Sequence, residues 1–254
     1  MTQPTEPNLS EPIFNVPSVV MAMVGVLVLI HLVRVYALTD EADVRCLLSF
    51  AFIPARYGSD FVEGSLPGGF GAELWTFFTY AFIHADYLHL GLNLAWLLPF
   101  GTALARRFGA WRYVAFMLVV AAAGALAHLV SHLGALEPMI GASAAISGAM
   151  AAAMRFVFQH NGPVSRWRDN SEAAYRVPAA SLAATLGDLR FLLFLAVWLG
   201  LNALFGLGTI SFGAEAGQEI AWQAHVGGFF AGLLLFNAFD PAAPGGEVDT
   251  EPTR

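Results

Sequence analysis

The residues best suited to chemistry in this sequence are a serine and a histidine that lie in separate apolar segments. Ser143 is surrounded by small residues in the stretch GASAAISG at 141–148, and His225 is followed by several glycines. A serine hydroxyl becomes an effective nucleophile when a neutral histidine takes its proton. The interiors of the apolar segments contain no Asp or Glu that could orient the histidine. The pattern therefore favours a Ser–His pair over a three-residue arrangement.

A second polar pair, His89 and Asn93, is spaced four residues apart, which puts both side chains on one face of a helix. Such a pair can donate two hydrogen bonds toward one point, as the stabilisation of an oxyanion requires. The alternative is that the two side chains join neighbouring helices through polar contacts, which is common in membrane bundles. The presence of Ser143 and His225 favours the oxyanion interpretation.

The small residues around Ser143 also have a purely structural interpretation. Small side chains at four-residue spacing let helices pack closely, and the hydroxyls of Ser143 and Ser147 could bond carbonyls one turn earlier in their own helix. Gly228 and Gly232 follow His225 with the same spacing. We expect these two glycines to let the His225 helix approach another helix closely enough for the imidazole to reach a serine hydroxyl.

His128 and His132 form another pair with four-residue spacing, and Glu137 follows closely. Two histidines and a carboxylate can bind zinc, but the glutamate that zinc proteases carry between the two histidines is missing. We therefore interpret the pair as the polar end of a helix and predict no metal and no other cofactor. Three further polar residues are interpreted as structural: His31, His160 and Asn202.

The elements that carry these residues are long and apolar. The 254 residues are 57% hydrophobic and 12% charged, with a mean hydropathy of +0.62, and soluble domains are about twice as charged. A membrane-spanning helix needs about 20 mostly apolar residues. Six segments qualify: about 16–38, 86–105, 113–133, 139–158, 189–209 and 220–239. We therefore predict an all-α membrane protein with a six-helix transmembrane domain at 16–239, between disordered tails at 1–15 and 240–254.

Composition also excludes several kinds of site. The basic residues, all arginines, do not cluster on one solvated face, so no nucleic-acid surface is predicted. Cys46 is the only cysteine, which rules out an intramolecular disulfide and a cysteine-based metal site. The residues before the first apolar segment include Glu6 and Glu11 and no Arg or Lys. A signal peptide begins with positive charge, so we interpret this segment as a retained helix.

The arginines also predict how the chain crosses the membrane. Outside the first apolar segment, nine arginines flank the second and fourth connections or end the chain, and two lie in the first connection. Positively charged loops stay in the cytoplasm, so both termini should be cytoplasmic. The second, fourth and sixth segments then all enter from the outer side. Four polar residues near their starts would lie within roughly 10 Å of the outer boundary: His89, Asn93, Ser143 and His225.

The first connection is rich in large apolar side chains, and Trp and Tyr favour the membrane–water interface. We expect this loop to lie partly in the outer leaflet, although an anchor with no further role is an equally good interpretation. The residues in question are Leu74, Trp75, Phe77, Phe78, Tyr80 and Phe82.

Over about residues 70–240 these features resemble the rhomboid family of intramembrane serine proteases. That family has a histidine-rich second helix, a glycine-x-serine in the fourth helix and a histidine before a G-x-x-x-G in the sixth. The order, the spacing and the helix numbers all agree here. The resemblance implies that Ser143 is the nucleophile and that His225 is the general base.

The resemblance also implies supporting roles for other residues. His89 and Asn93 would be side-chain oxyanion donors beside the backbone N–H of Ser143, and His84 matches a loop histidine with a supporting role. Three glycines match positions where the family requires close contact around the serine or between the fourth and sixth helices: Gly141, Gly228 and Gly232.

Two positions depart from the family pattern. Ala144 stands where a glycine usually follows the nucleophile, and its methyl group is expected near the oxyanion site. Thr76 follows Trp75 where the family often has an arginine, so the contact made by that arginine must be made otherwise. Neither change removes a reacting group, and we expect activity.

The resemblance implies a serine endopeptidase that cleaves transmembrane segments of other membrane proteins, with the lipid bilayer as its environment and the fifth helix and the loop at 209–219 as a lid. The alternative is a catalytically silent relative that binds transmembrane clients. A small transporter is a third class, but it predicts a repeat between chain halves, which is not found. The short tails and the arginine distribution suit a multi-pass protein of a bacterial inner membrane.

Overall fold

The computed structural model describes residues 16–58, 66–166, 171–206 and 221–241. Across these residues the chain is helical and has no β-strand, only an isolated antiparallel bridge between Phe52 and Met139. The predicted tails, apart from residues 240 and 241, and the predicted lid loop lie outside the described residues. The α-helices are α1 (Ser18–Tyr36), α2 (Asp40–Phe50), α3 (Gly69–Thr79), α4 (Tyr87–Phe108), α5 (Ala110–His132), α6 (Ser143–Ala153), α7 (Leu182–Gly187), α8 (Leu189–Gly206) and α9 (Trp222–Phe239).

Among the described helices, α1, α4 and α5 are long and apolar enough to cross a membrane. They coincide with the first three predicted segments apart from small shifts at their ends. Helices α8 and α9 cover most of the fifth and sixth predicted segments. The all-α architecture is therefore confirmed, and the count of six crossings stays a prediction.

The fourth predicted segment, 139–158, differs most from the structure because its helix α6 covers only Ser143–Ala153. Gly141 has a φ of +111°, a left-handed conformation that glycine adopts readily and that interrupts a regular helix. After α6 the chain continues in turns. Apolar composition predicts burial in the bundle or in lipid, and it carries no signal for where the helix begins and ends.

Helix α6 lies in the middle of the bundle, and its residues from 144 to 153 are all buried. Its backbone contacts that of α9 directly. A methyl group at Gly228 would overlap the Ala144 carbonyl, and one at Gly232 would overlap the Gly148 carbonyl. Small residues at four-residue spacing thus let α6 and α9 pack backbone against backbone over a full turn.

Helix α5 packs against both α6 and α9. Glycines of α5 and of α9 make this close packing possible. A methyl at Gly227 of α9 would overlap the side chain of Ala127, and one at Gly124 of α5 would lie 2.6 Å from the Ala144 methyl and 2.9 Å from the Ala224 carbonyl oxygen. Helices α5, α6 and α9 therefore form a tightly packed triplet around the start of α6.

The first connection is a folded unit that contains α2 and α3. Arg56 is 4% exposed, and its guanidinium donates to the carbonyls of Leu48 and Pro67. Thr76, at the position where an arginine was expected, is buried and donates to the Ala72 carbonyl of its own helix (2.6 Å). Arg56 therefore joins two parts of this loop, and Trp75 and Thr79 add bonds to the carbonyls of Ser49 and Phe50.

One residue of the predicted interfacial set belongs to the core. Tyr80 is 1% exposed, and its hydroxyl donates to the Ala121 carbonyl of α5 over 2.8 Å. Its assignment to the loop surface was wrong, because a tyrosine can be buried when its hydroxyl finds an acceptor. Leu74, Trp75 and Phe78 are exposed, and their location in the outer leaflet stays a prediction.

Two arginines tie the end of α9 to earlier parts of the chain, at the end of the bundle away from Ser143. Arg107 of α4 pairs with Asp240 (2.7 Å), and both side chains are almost completely buried. Arg107 also donates to the Tyr175 carbonyl (2.9 Å). Arg155, just after α6, donates to the side chain of Asn237 (3.1 Å). These contacts hold α9 at its C-terminal end, while the glycines hold it nearer its beginning.

Candidate active site

Ser143 and His225 meet between the first turns of α6 and α9. Ser143 is the first residue of α6 and His225 is the fourth of α9. The His225 Nε2 atom lies 2.7 Å from the Ser143 Oγ atom, which is within hydrogen-bonding distance. A neutral imidazole accepts at one ring nitrogen and donates at the other. When Nε2 is the accepting nitrogen, the serine hydroxyl donates to a group that can take its proton.

The close contact of α6 and α9 explains this short distance. Gly228 lies three residues after His225, on the same face of α9. It rests on the backbone of Ala144, the residue after Ser143. Any side chain at 228 would overlap the Ala144 carbonyl, so a larger residue there would move the imidazole away from the hydroxyl.

The His89 imidazole borders the space beside Gly141. A methyl at Gly141 would lie 2.6 Å from His89 Nε2 and 3.7 Å from Ser143 Oγ, so both atoms face this glycine. The Nδ1 atom of His89 accepts a long hydrogen bond from the Ala85 N–H (3.4 Å). This assigns the ring proton to Nε2, and a donor therefore lies close to the serine.

Asn93 follows His89 by one turn of α4 and is 5% exposed. Its Nδ2 atom donates to the His89 carbonyl over 2.9 Å, which leaves its second N–H for another acceptor. Asp86, which the sequence analysis did not consider, caps α4 by accepting from the His89 N–H (2.7 Å). The cap fixes the turn from which both predicted oxyanion donors project.

The start of α6 supplies a further donor. The first hydrogen bond of this helix runs from the Ile146 N–H to the Ala142 carbonyl (3.0 Å). The N–H of Ser143 precedes that bond and has no acceptor within the helix. It lies at the positive end of the helix dipole, where negative charge is favoured. The backbone around Ser143 is therefore suited to an oxyanion.

The ring of His84 contacts that of His89. The His84 side chain is fully buried, and its ring meets that of His89 edge to face with 5.0 Å between centroids. The His84 carbonyl accepts from Arg34 (2.8 Å), which is also paired with Asp43 (2.7 Å). The loop before α4 is thus tied to α1 and α2.

The structure adds one residue to the site that the sequence analysis had interpreted as structural. Asn202, in the last turns of α8, has its Oδ1 atom 2.6 Å from His225 Nδ1. Its amide nitrogen donates to the Trp198 carbonyl (2.8 Å). A polar residue near the end of an otherwise apolar helix was the available signal.

Ala144 follows Ser143 directly in α6. Its side chain is 1% exposed and faces Gly124 of α5. The methyl group therefore fills the α5–α6 interface, where a glycine makes room for it. The effect of this methyl group on the oxyanion site stays a prediction.

The other polar candidates lie apart from this cluster. His128 and His132 stack on each other with 4.2 Å between ring centroids, and Ser147 is buried within α6. In the described parts of the chain, no group of three His, Cys, Asp or Glu residues is arranged to hold a metal ion.

Comparison with known proteins identifies the family. Rhomboid-like protease 3 of Toxoplasma gondii is 28% identical over 196 residues, which cover 76% of this chain and 62% of that protein. Rhomboid protein 1, mitochondrial, of Saccharomyces cerevisiae is 34% identical over 84 residues, 32% of this chain and 24% of that protein. The chain spans less than two thirds of the length of these relatives.

The Rhomboid domain matches residues 71–239, which confirms the resemblance seen in the motifs. Together with the apolar helices of membrane-spanning length, this match makes the protein an integral membrane protein. Since the matched region covers well over half of the sequence and includes Ser143 and His225, the chain belongs to the rhomboid family.

Proposed function

We propose that the protein is a serine endopeptidase that hydrolyses peptide bonds in or beside transmembrane segments of other proteins. The observation that carries this proposal is the 2.7 Å contact between His225 Nε2 and Ser143 Oγ. The relatives whose names include protease or rhomboid protein add support from outside the chain. A hydroxyl paired with an imidazole in a membrane bundle has a direct chemical use in acyl transfer.

In the proposed reaction, Ser143 Oγ forms a bond to the scissile carbonyl carbon while its proton passes to His225 Nε2. The carbonyl oxygen becomes an oxyanion. When the C–N bond breaks, His225 returns the proton to the leaving amine nitrogen, and an acyl-enzyme remains. Water then adds to the ester carbon as His225 takes its proton, and the Ser143 hydroxyl is regenerated with release of the carboxylic acid.

The oxyanion would be stabilised by the backbone N–H of Ser143 and by donors from α4. His89 has its Nε2–H beside Gly141, and Asn93 retains one amide proton. Donors that are already in place before charge develops, in a site with little water, contribute most to lowering such a barrier. Substitution of His89 by Ala should therefore lower the rate constant of acylation.

The membrane arrangement follows the arginine pattern. We infer that residues 16–239 form a multi-pass domain with both termini in the cytoplasm and the site open to the outer side, in a bacterial inner membrane. Peptide groups inside a transmembrane helix are protected by their own hydrogen bonds. Substrates are therefore expected to carry helix-breaking Gly or Pro near the cut and a small residue at it.

The test is cleavage of a model transmembrane substrate by purified protein in liposomes. Ser143→Ala and His225→Ala should abolish cleavage, because each removes one of the two reacting groups. Ser147→Ala, on the same helix one turn later, is the matched control and should cut at the wild-type rate. All variants should show the same thermal unfolding midpoint in detergent.

The proposal would be overturned if the wild-type protein cleaved none of several substrates whose transmembrane helix is destabilised. The binding of transmembrane clients without cleavage would then be the better account. Cleavage that survives in Ser143→Ala would instead mean that another residue is the nucleophile.

A further inference from the structure

Asn202 links α8 to the imidazole on the side opposite the serine. Its side chain lies in an apolar helix and the residue is 8% exposed. The Oδ1 atom is 2.6 Å from His225 Nδ1, while Nε2 of the same ring is 2.7 Å from Ser143 Oγ. Both ring nitrogens of His225 are therefore engaged, one by α6 and the other by α8.

The orientation of the Asn202 amide follows from its second contact. The Nδ2 atom donates to the Trp198 carbonyl over 2.8 Å, and a carbonyl can only accept. The amide oxygen is therefore the atom that faces His225. Because an amide oxygen is also only an acceptor, Nδ1 of His225 must carry the ring proton. In a neutral imidazole this leaves the lone pair on Nε2, directed at the serine hydroxyl.

We propose that Asn202 is a positioning residue that holds His225 in the tautomer able to take the Ser143 proton, and that the alignment of this base depends on the position of α8. This inference rests on the function proposed above. Asn202 does not contact the reacting atoms and acts only through the imidazole. It supplies the orienting group that no carboxylate in the apolar segments could supply.

The packing of α8 determines where Asn202 lies relative to His225. Helix α8 packs against α9 through aromatic rings. The ring of Trp198 stacks on that of Phe229, with 4.4 Å between the centroids. Beyond that contact, a cavity of about 310 Å³ separates α8 from α9 and includes Asn202 in its wall. The cavity is lined by Leu199, Asn202, Ala203, Gly206, Trp222 and Val226. A displacement of α8 away from α9 would take the acceptor away from Nδ1.

The test compares Asn202→Leu with Leu199→Ala. Leucine is close to asparagine in size but cannot accept a hydrogen bond, whereas Leu199 lines the same cavity and has no polar side-chain atom to lose. We expect kcat for a transmembrane substrate to fall about 10- to 100-fold in Asn202→Leu, less than the roughly 10²- to 10⁴-fold that a correctly placed base contributes in full. KM should not change, and Leu199→Ala should keep the wild-type kcat.

Nitrogen-15 NMR of the labelled histidines in micelles supplies a readout that a merely structural role would not move. The His225 signal, assigned by its loss in His225→Ala, should report protonated Nδ1 in wild type and in Leu199→Ala. It should move toward the other tautomer in Asn202→Leu. An unchanged tautomer in Asn202→Leu, or an equal loss of kcat in Leu199→Ala, would overturn the inference.

Labelling of Ser143 by a fluorophosphonate separates this inference from the proposed function. The reaction needs an activated serine and no transmembrane substrate. If wild type is labelled but cleaves nothing, the proposed substrate class is wrong, and slower labelling of Asn202→Leu still supports the positioning role. If Asn202→Leu is labelled as fast as wild type, the positioning role is wrong whatever the substrate.

Discussion

The α6–α9 and α8–α9 interfaces hold opposite sides of one imidazole and are built differently. Between α6 and α9, glycines bring the two backbones into contact at Gly228 and Gly232. Between α8 and α9, aromatic side chains make the contact and a cavity follows it. The first interface fixes the distance from His225 to Ser143, since closely packed backbones have no slack. The second fixes the orientation of the ring, and α8 borders a cavity there.

The largest loss of activity and stability is expected at the contact between the backbones of α6 and α9. Gly228→Ala adds a methyl that overlaps the Ala144 carbonyl, so α6 and α9 must separate. A displacement of this kind at the reacting atoms should lower kcat about 100-fold, and overpacking should reduce the free energy of unfolding by about 1–3 kcal/mol. Substrate cleavage in liposomes and denaturation in mixed micelles measure the two effects.

A contrary result at this position would be a stable, fully active Gly228→Ala. It would mean that α9 can shift without moving the imidazole, and that the glycine contact does not set the Ser143–His225 distance. Gly91→Ala in α4 is a suitable control, because an added methyl there meets open space.

A smaller effect should follow from Gly124→Ala, which tests the other side of the tight triplet. The new methyl would meet the Ala144 methyl at 2.6 Å and the Ala224 carbonyl oxygen at 2.9 Å. We expect a loss of about 1–2 kcal/mol in unfolding free energy. The double variant Gly124→Ala with Ala144→Gly should recover part of the loss, because the contact with Ala224 remains.

Unfolding curves of the two single variants and the double variant give the coupling energy between positions 124 and 144. Strictly additive effects would contradict the packing of Ala144 against α5.

The smallest change in the free energy of unfolding is expected in α8, where the substitution should stabilise the protein. Gly200 is a helical glycine with open space at its Cβ position. Gly200→Ala should raise the free energy of unfolding by about 0.5–1 kcal/mol, because alanine favours the helix more than glycine does. Thermal unfolding in detergent checks this, and cleavage should be unchanged. A marked destabilisation would show that α8 is as tightly packed as α6.

The sequence predicted the pairing of Ser143 with His225 because helix direction alone places the starts of alternate helices on one side of the membrane. Asn202 was not predicted in this way. Only residues near helix starts were compared, whereas Asn202 lies near the end of α8, which meets the start of α9. Its residue type was a signal, because a polar residue in an apolar helix is a functional candidate. It was interpreted as structural because such residues also commonly join neighbouring helices.

Other parts of the fold depend on tertiary contacts that composition does not encode. The sequence around Tyr80 does not indicate that its hydroxyl will donate to the Ala121 carbonyl. Likewise, the sequence around Arg56 does not indicate that its guanidinium will donate to the carbonyls of Leu48 and Pro67. The true start of α6 depends on the conformation of Gly141, which becomes evident only with the His89 ring beside it.

The buried pair between Arg107 and Asp240 has a consequence for biosynthesis. These residues are 133 positions apart, and Ser143 is separated from His225 by 82. The ribosome therefore makes Ser143 and Arg107 before it makes His225 and Asp240, and neither contact can form until α9 has been synthesised. Until α9 has been made, Ser143 lacks the His225 imidazole, and the contact of Arg107 with Asp240 that holds the end of α9 is missing as well.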